Sequence, residues 1–174
     1  MEQFVLDKAT AVDKPEILLL FQRAVEHLNA SGIAQWDAVY PHASNVEEDI
    51  QKGQLYLMRA DGRIAGVITL NQSFDPEYQK AKWTYQGNDF AVIHRLCVSP
   101  DVQGRGVGTR IMRMAEAMLA ENGIQSVRLD CFSQNSHSQR LYEKLGYRTV
   151  GEAVWRKGLF YLMEKNIGES SHGA

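Results

Sequence analysis

The residues best suited to chemistry lie in one run, Leu96-Cys97-Val98-Ser99-Pro100-Asp101-Val102-Gln103-Gly104-Arg105-Gly106-Val107-Gly108-Thr109. Their types describe a strand, a proline-marked turn, a glycine-rich loop and the start of a helix. The first turn of a helix presents unpaired N–H groups and the positive end of its dipole. Glycines, having no Cβ, let an anion approach those groups. Arg105, with Arg110 behind it, can add charge beside the anion. A phosphate or pyrophosphate cradle is the functional reading, and a plain tight turn from strand to helix stands beside it. The dinucleotide pattern G-x-G-x-x-G would need glycine at 109, where Thr109 stands, and the P-loop pattern is absent.

The remaining reactive residues are dispersed. The two cysteines, Cys97 and Cys131, fall in apolar strand-like runs without a CxxC or a Cys/His neighbour at metal spacing, which reads as free buried thiols in a reducing compartment. The five histidines, His27, His42, His94, His137 and His172, show no paired ligand spacing, so no metal site is expected. No Ser/His/Asp or Cys/His triad is suggested.

The elements that must position these residues follow from periodicity. Phe4 to Leu6 can open a strand. Asp13 reads as the N-cap of an amphipathic helix over residues 14–29, with Pro15 in its first turn. A short helix spans residues 46–52. Strands at 55–58 and 64–70 flank Asp61-Gly62, a strong hairpin signal. Residues 71–89 form a long polar and aromatic connection. A strand over 90–98 follows, and then a helix from about 108 to 121 that ends at Asn122-Gly123. Next, Val127, Leu129 and Cys131 alternate with Ser126, Arg128 and Asp130 in a strand. The helix over 136–145 turns Leu141 and Leu145 inward and leaves Tyr142 offset, and strands at about 147–156 and 159–166 finish the order. This is an α/β chain with a mixed sheet, read as one domain over residues 1–167 with a polar tail at 168–174.

The 174 residues carry 19 Lys and Arg against 21 Asp and Glu, a formal net charge of −2. That balance gives no reason to expect nucleic acid or an anionic membrane as partner. The first residues lack the basic start and apolar stretch of a signal peptide, and no apolar run approaches the ~18 residues of a membrane span. A cytoplasmic protein, monomer or homodimer, is the expectation.

Gln103-x-x-Gly106-x-Gly108, after a strand ending Leu96-Cys97-Val98, resembles the coenzyme A pyrophosphate loop of the GNAT acyltransferase superfamily. About thirty residues on, Asn135-x-x-Ser138-x-x-Leu141-Tyr142-Glu143-Lys144-Leu145-Gly146-Tyr147 resembles that superfamily's second signature. A weaker likeness to bacterial members lies in Gly32-Ile33-x-Gln35-Trp36-x-x-x-Tyr40-Pro41. The resemblance implies a mixed sheet of six or seven strands flanked by about four helices, with acetyl-CoA (coenzyme A) as the cofactor. It implies an acyl-CoA-dependent N-acyltransferase moving an acetyl group to a small-molecule primary amine by direct attack. Cofactor contacts would come from Leu96, Cys97 and Val98, from Gln103, Gly104, Arg105, Gly106, Val107, Gly108 and Thr109, and from Asn135, Ser138 and Tyr142.

In the superfamily the cofactor arm pairs with main-chain groups of the strand that matches Leu96 and Val98, where that strand splays from its parallel neighbour. Asn135 would bond the arm, or serve as an ordinary N-cap, or both. The resemblance makes Tyr142 the general acid that protonates the leaving thiolate; spacing alone leaves it a packed or half-exposed tyrosine. An attacking amine must be neutral, so its proton must go to a base or a water chain. His94 lies two residues before Leu96 on the same strand face and matches a histidine of arylalkylamine-type members; a structural histidine is the other reading. Asp130 and Glu143 are weaker candidates. Trp36, Tyr40, Trp83 and Tyr85 could line the acceptor pocket or simply pack. Two further functions stay open: a non-catalytic acyl-CoA sensor, and transfer of a longer acyl group.

Overall fold

In a computed structural model of the chain, residues 4–37 and 41–168 are described. The seven strands are β1 (Leu6–Lys8), β2 (Leu55–Ala60), β3 (Arg63–Asn71), β4 (Phe90–Val98), β5 (Ser126–Phe132), β6 (Arg148–Trp155) and β7 (Gly158–Asn166). The four helices are α1 (Lys14–Ala30), α2 (Ala43–Gln51), α3 (Val107–Glu121) and α4 (Ser136–Lys144). The sheet order is β1-β2-β3-β4-β5-β7-β6, with β4 and β5 parallel and β1–β2, β2–β3, β5–β7 and β6–β7 antiparallel. The α/β class with a mixed seven-stranded sheet is as expected. Two compact units divide the chain: residues 1–70 with 95–112, and residues 71–94 with 113–174.

In the first unit α1 buries Ile17, Leu20, Phe21 and Ala24 at helical spacing, and these pack with Val46 of α2, Leu55 and Leu57 of β2, and Ile64 and Val67 of β3. Asp61 and Gly62 both have positive φ, 50° and 75°, as a type I′ turn between β2 and β3 requires. Asp13 is the N-cap residue of α1, as expected, but its side chain is used differently. Asp13 makes no capping bond of its own; its carboxylate accepts from the Thr10 N–H at 2.9 Å and pairs with Arg59 at 2.6 Å. A 3-10 turn, Ala11–Asp13, precedes the helix.

In the second unit β4 and β5 pair from Phe90 with Ser126 to Val92 with Arg128, a ladder much shorter than either strand. The connection over 71–89 contains a 3-10 helix, Pro76–Lys80, whose Tyr78 is buried. One side-chain expectation changes here, that for Tyr142, and β5 is covered more fully than its alternation suggests. Strand β5 is buried on both faces, because Ser126 and Arg128 have polar partners beneath the 71–89 connection. Tyr142, expected offset, is the inward residue of α4 at 7% exposure, and Leu141 is only half-buried.

Candidate active site

Strand β4 carries a local irregularity. Arg95 has a φ of 50°, an uncommon value for a residue with a side chain. It interrupts the pleat between His94 and Leu96, so the shared face expected for His94, Leu96 and Val98 does not carry through. The Arg95 Nε donates to Asp49 Oδ2 at 3.1 Å, a terminal nitrogen donates to the same oxygen, and Thr69 Oγ1 adds a bond at 2.9 Å. Asp49 is buried and the Arg95 side chain is only 11% exposed, so this pair anchors the irregular backbone to α2. Beyond it, Cys97 is buried, its thiol pushed above the ordinary range by burial, while Leu96 and Val98 are half-buried.

Gly104 and Gly106 both adopt left-handed φ, 80° and 74°, and a Cβ on either would meet nothing within 4 Å. Gly106 accepts from the Arg110 N–H at 3.1 Å, which makes it the N-cap of α3. As a glycine it has no side chain to cap the helix, and among the described residues no side chain bonds the N–H groups of Val107, Gly108 or Thr109. Gln103, Arg105 and Arg110 are exposed. Gly66 of β3 holds α3 close, since a Cβ there would lie 2.6 Å from Ile111 Cδ1 and 3.0 Å from the Cys97 carbonyl. The left-handed glycines leave the space in front of this helix start open, which is compatible with the expected anion cradle.

The second unit holds the tyrosine and the asparagine. Asn135 is the N-cap of α4, its Oδ1 accepting from the Ser138 N–H at 3.1 Å. Tyr142 packs edge-on against Tyr147 with ring centroids 5.9 Å apart. Burial, helped by the charges of Cys131 and Asp130, raises its phenol well above the usual tyrosine range. No described residue accepts a hydrogen bond from its hydroxyl. His94 is half-buried, and its Nε2 lies 2.8 Å from Asn71 Oδ1 and 2.9 Å from the Ser73 carbonyl. Asn71 Oδ1 also accepts from the Ser73 N–H, so Nε2 faces two acceptors and carries the proton. Any base chemistry at His94 falls to Nδ1.

One face of β5 organises the 71–89 connection. Ser126 Oγ donates to Glu164 at 3.2 Å, and Glu164 also accepts from the Thr84 N–H, the Thr84 hydroxyl and the Tyr85 N–H. Arg128 donates to the Tyr85 carbonyl at 2.8 Å and stacks on Trp83 and Phe90; its Nε is buried without a partner. Asp130 accepts from the Tyr78 hydroxyl at 2.6 Å. Sequence reasoning missed Tyr78, Arg128 and Glu164; the aligned Ser126, Arg128 and Asp130 were the available signal.

The residues expected to line an acceptor pocket divide. Trp36 and Trp83 pack in the interior, Trp36 against Phe21 and Trp83 donating to the Tyr78 carbonyl. Tyr85 is half-buried and engaged through its backbone. Tyr40 and the tail at 169–174 lie outside the described residues. Among the described residues no group of three His, Cys, Asp or Glu could hold a metal ion, and no helix is long and apolar enough to cross a membrane.

The model of the acetyltransferase (GNAT) family matches residues 21–147. The chain belongs to the GNAT acetyltransferase family. It is similar to the uncharacterized N-acetyltransferase YesJ of Bacillus subtilis, 27% identical over 158 residues, covering 89% of this chain and 86% of that protein. A second relative is the S-(2-succino)cysteine N-acetyltransferase of the same organism, 27% identical over 150 residues, covering 84% and 85%. Among solved structures, a GNAT-family acetyltransferase of Streptococcus agalactiae superposes with a TM-score of 0.83 at 21% identity, covering 94% of this chain and 95% of that one. The PaiA N-acetyltransferase of Thermoplasma acidophilum, solved with coenzyme A, gives 0.71 at 17% identity over 95% and 99%. As a GNAT chain the protein is an acyltransferase.

Proposed function

We propose that the chain transfers an acetyl group from acetyl-CoA to a small primary amine. The observation that carries this reading is Tyr142, a buried phenol held protonated whose hydroxyl gives no bond to a described residue. Bound acetyl-CoA supplies the thioester carbon that the amine attacks and the sulfur that leaves. The residues fit that group: the uncapped start of α3, with left-handed Gly104 and Gly106 opening it, suits a pyrophosphate, and exposed Arg105 adds charge. Main-chain groups of Leu96, Cys97 and Val98, with Asn135 and Ser138, would hold the cofactor arm.

As the N–C bond forms and the C–S bond breaks, the electron pair departs on sulfur and Tyr142 gives it a proton. The nitrogen sheds one proton to solvent or to Nδ1 of His94, and the phenol is restored from solvent. The acceptor class draws on the relative named for S-(2-succino)cysteine, a small amine. Thiol release from acetyl-CoA tests the reading, with S-(2-succino)cysteine, spermidine, phenylethylamine and a short peptide as acceptors. Release with at least one is expected; none, together with no acetyl-CoA-induced thermal shift, would overturn it.

A further inference from the structure

We infer that Asp49 of α2 is a positioning residue for the donor: by holding Arg95 left-handed, it sets the main chain of Leu96 to Val98 to receive the coenzyme A arm. The inference rests on the reading of acetyl-CoA as the donor, with its arm on those main-chain groups.

Every residue involved lies in the first unit. Asp49 is buried and fixed at both ends. Its carbonyl accepts from the Gln54 N–H at 2.9 Å, and the Gln54 carbonyl accepts from the Leu70 N–H at 2.9 Å, which ties α2 to β3 beside Thr69. Its carboxylate accepts from the Thr69 hydroxyl and from two nitrogens of Arg95, all on Oδ2. Val46, one turn earlier in α2, is buried in the core and seats the helix. A guanidinium held through two nitrogens is restrained in direction as well as in place, so the side chain fixes the backbone that carries it.

The ionic character of the pair is informative. An apolar pair of similar size would stabilise the fold as well or better. What the ions add is direction, and Arg95 needs it, because its φ of 50° is costly for a residue with a side chain. Such conformations persist where the surroundings over-determine them, and they gather at functional sites. An irregularity in a strand re-aims the residues that follow it. Here those are Leu96, Cys97 and Val98, and the β4–β5 ladder has already stopped at Val92. One edge of the segment is taken, since β3 is its hydrogen-bonded neighbour and the Ser99 N–H donates to the Ala65 carbonyl at 2.7 Å. The arm would pair with the opposite edge, whose N–H and C=O groups point where the backbone at Arg95 directs them. Asp49 touches no part of the donor and acts through Arg95 alone.

The test is the acetyl-CoA dissociation constant from calorimetry, measured beside the unfolding free energy from urea on the same variants. Where Arg95 is free to relax, binding must restore the left-handed form, which raises the dissociation constant by about 5- to 30-fold. Asp49→Leu with Arg95→Met should show that rise while keeping most of the wild-type stability, a split that a purely structural pair would not produce. Arg95→Ala and Arg95→Gly both lack the pair, but glycine takes the left-handed form without steric cost. Arg95→Gly should therefore bind at least about fivefold more tightly than Arg95→Ala. Equal affinity in those two variants would overturn the inference and leave the acetyltransferase reading intact. So would a double variant whose dissociation constant stays within about twofold of wild type. Should any of these fail to fold, Asp49→Asn, which keeps the shape of the side chain, decides by the same rise or its absence. Wild-type protein that binds no acetyl-CoA would overturn both the inference and the reading.

Discussion

Asp49→Ala is the most informative single perturbation of the first unit. The side chains of Asp49 and Arg95 are only 8% and 11% exposed, so little solvent screens the pair. Truncation takes the carboxylate away from the guanidinium and leaves the Thr69 hydroxyl without its acceptor. Breaking one side of a buried pair costs about 3–5 kcal/mol. For a chain of this size each kcal/mol moves the midpoint by about 2–4 °C, which gives a fall of roughly 6–20 °C. The left-handed backbone at Arg95 also costs about 1–2 kcal/mol, and the pair is what holds it there. Urea unfolding followed by tryptophan fluorescence measures the loss. Replacing both partners, Asp49→Leu with Arg95→Met, should recover most of it. A loss below about 1 kcal/mol for Asp49→Ala, the value of an exposed pair, would refute the reasoning.

Three further outcomes are expected. Gly66→Ala should destabilise by about 1–3 kcal/mol, because the new methyl meets Ile111 and the Cys97 carbonyl; chemical denaturation that finds no change would contradict the close approach of α3. Glu164→Gln removes a charge that holds Thr84, Tyr85 and Ser126, at a cost of about 2–3 kcal/mol, and limited proteolysis should then cut within residues 83–89 faster than in the wild type. Both cysteines are buried, and the Cys131 thiol is pushed up to about 12, so only about one part in 10⁴ is thiolate at pH 8. Native protein should therefore resist Ellman's reagent until unfolded, and rapid labelling would refute that burial.

Local chemistry made much of the fold legible. The Asp61-Gly62 turn and the apolar stripe of α1 each announce their element within a few residues, as does the glycine-rich entry to α3. What could not be read depends on distant partners. Nothing near Arg95 signals a left-handed conformation, because the carboxylate that holds it is 46 residues away. The alternation of Ser126, Arg128 and Asp130 suggests a solvent face, yet the 71–89 connection covers it with Tyr78, Trp83 and Tyr85. The burial of Tyr142 depends on how α4 is rotated on β5, which helical spacing around Leu141 and Leu145 does not determine. The candidate site was legible where backbone amides define it and obscure where side chains converge across the fold.

The acetyl-transfer reading is tested most directly by comparing Tyr142→Phe with wild type in one thiol-release titration against acetyl-CoA and an accepted amine. Loss of a general acid should lower kcat by about 10²- to 10⁴-fold, while the acetyl-CoA dissociation constant from calorimetry stays within about threefold, since a phenol-to-phenyl change removes no phosphate contact. Wild-type kcat in Tyr142→Phe would contradict the assignment of this tyrosine as the acid.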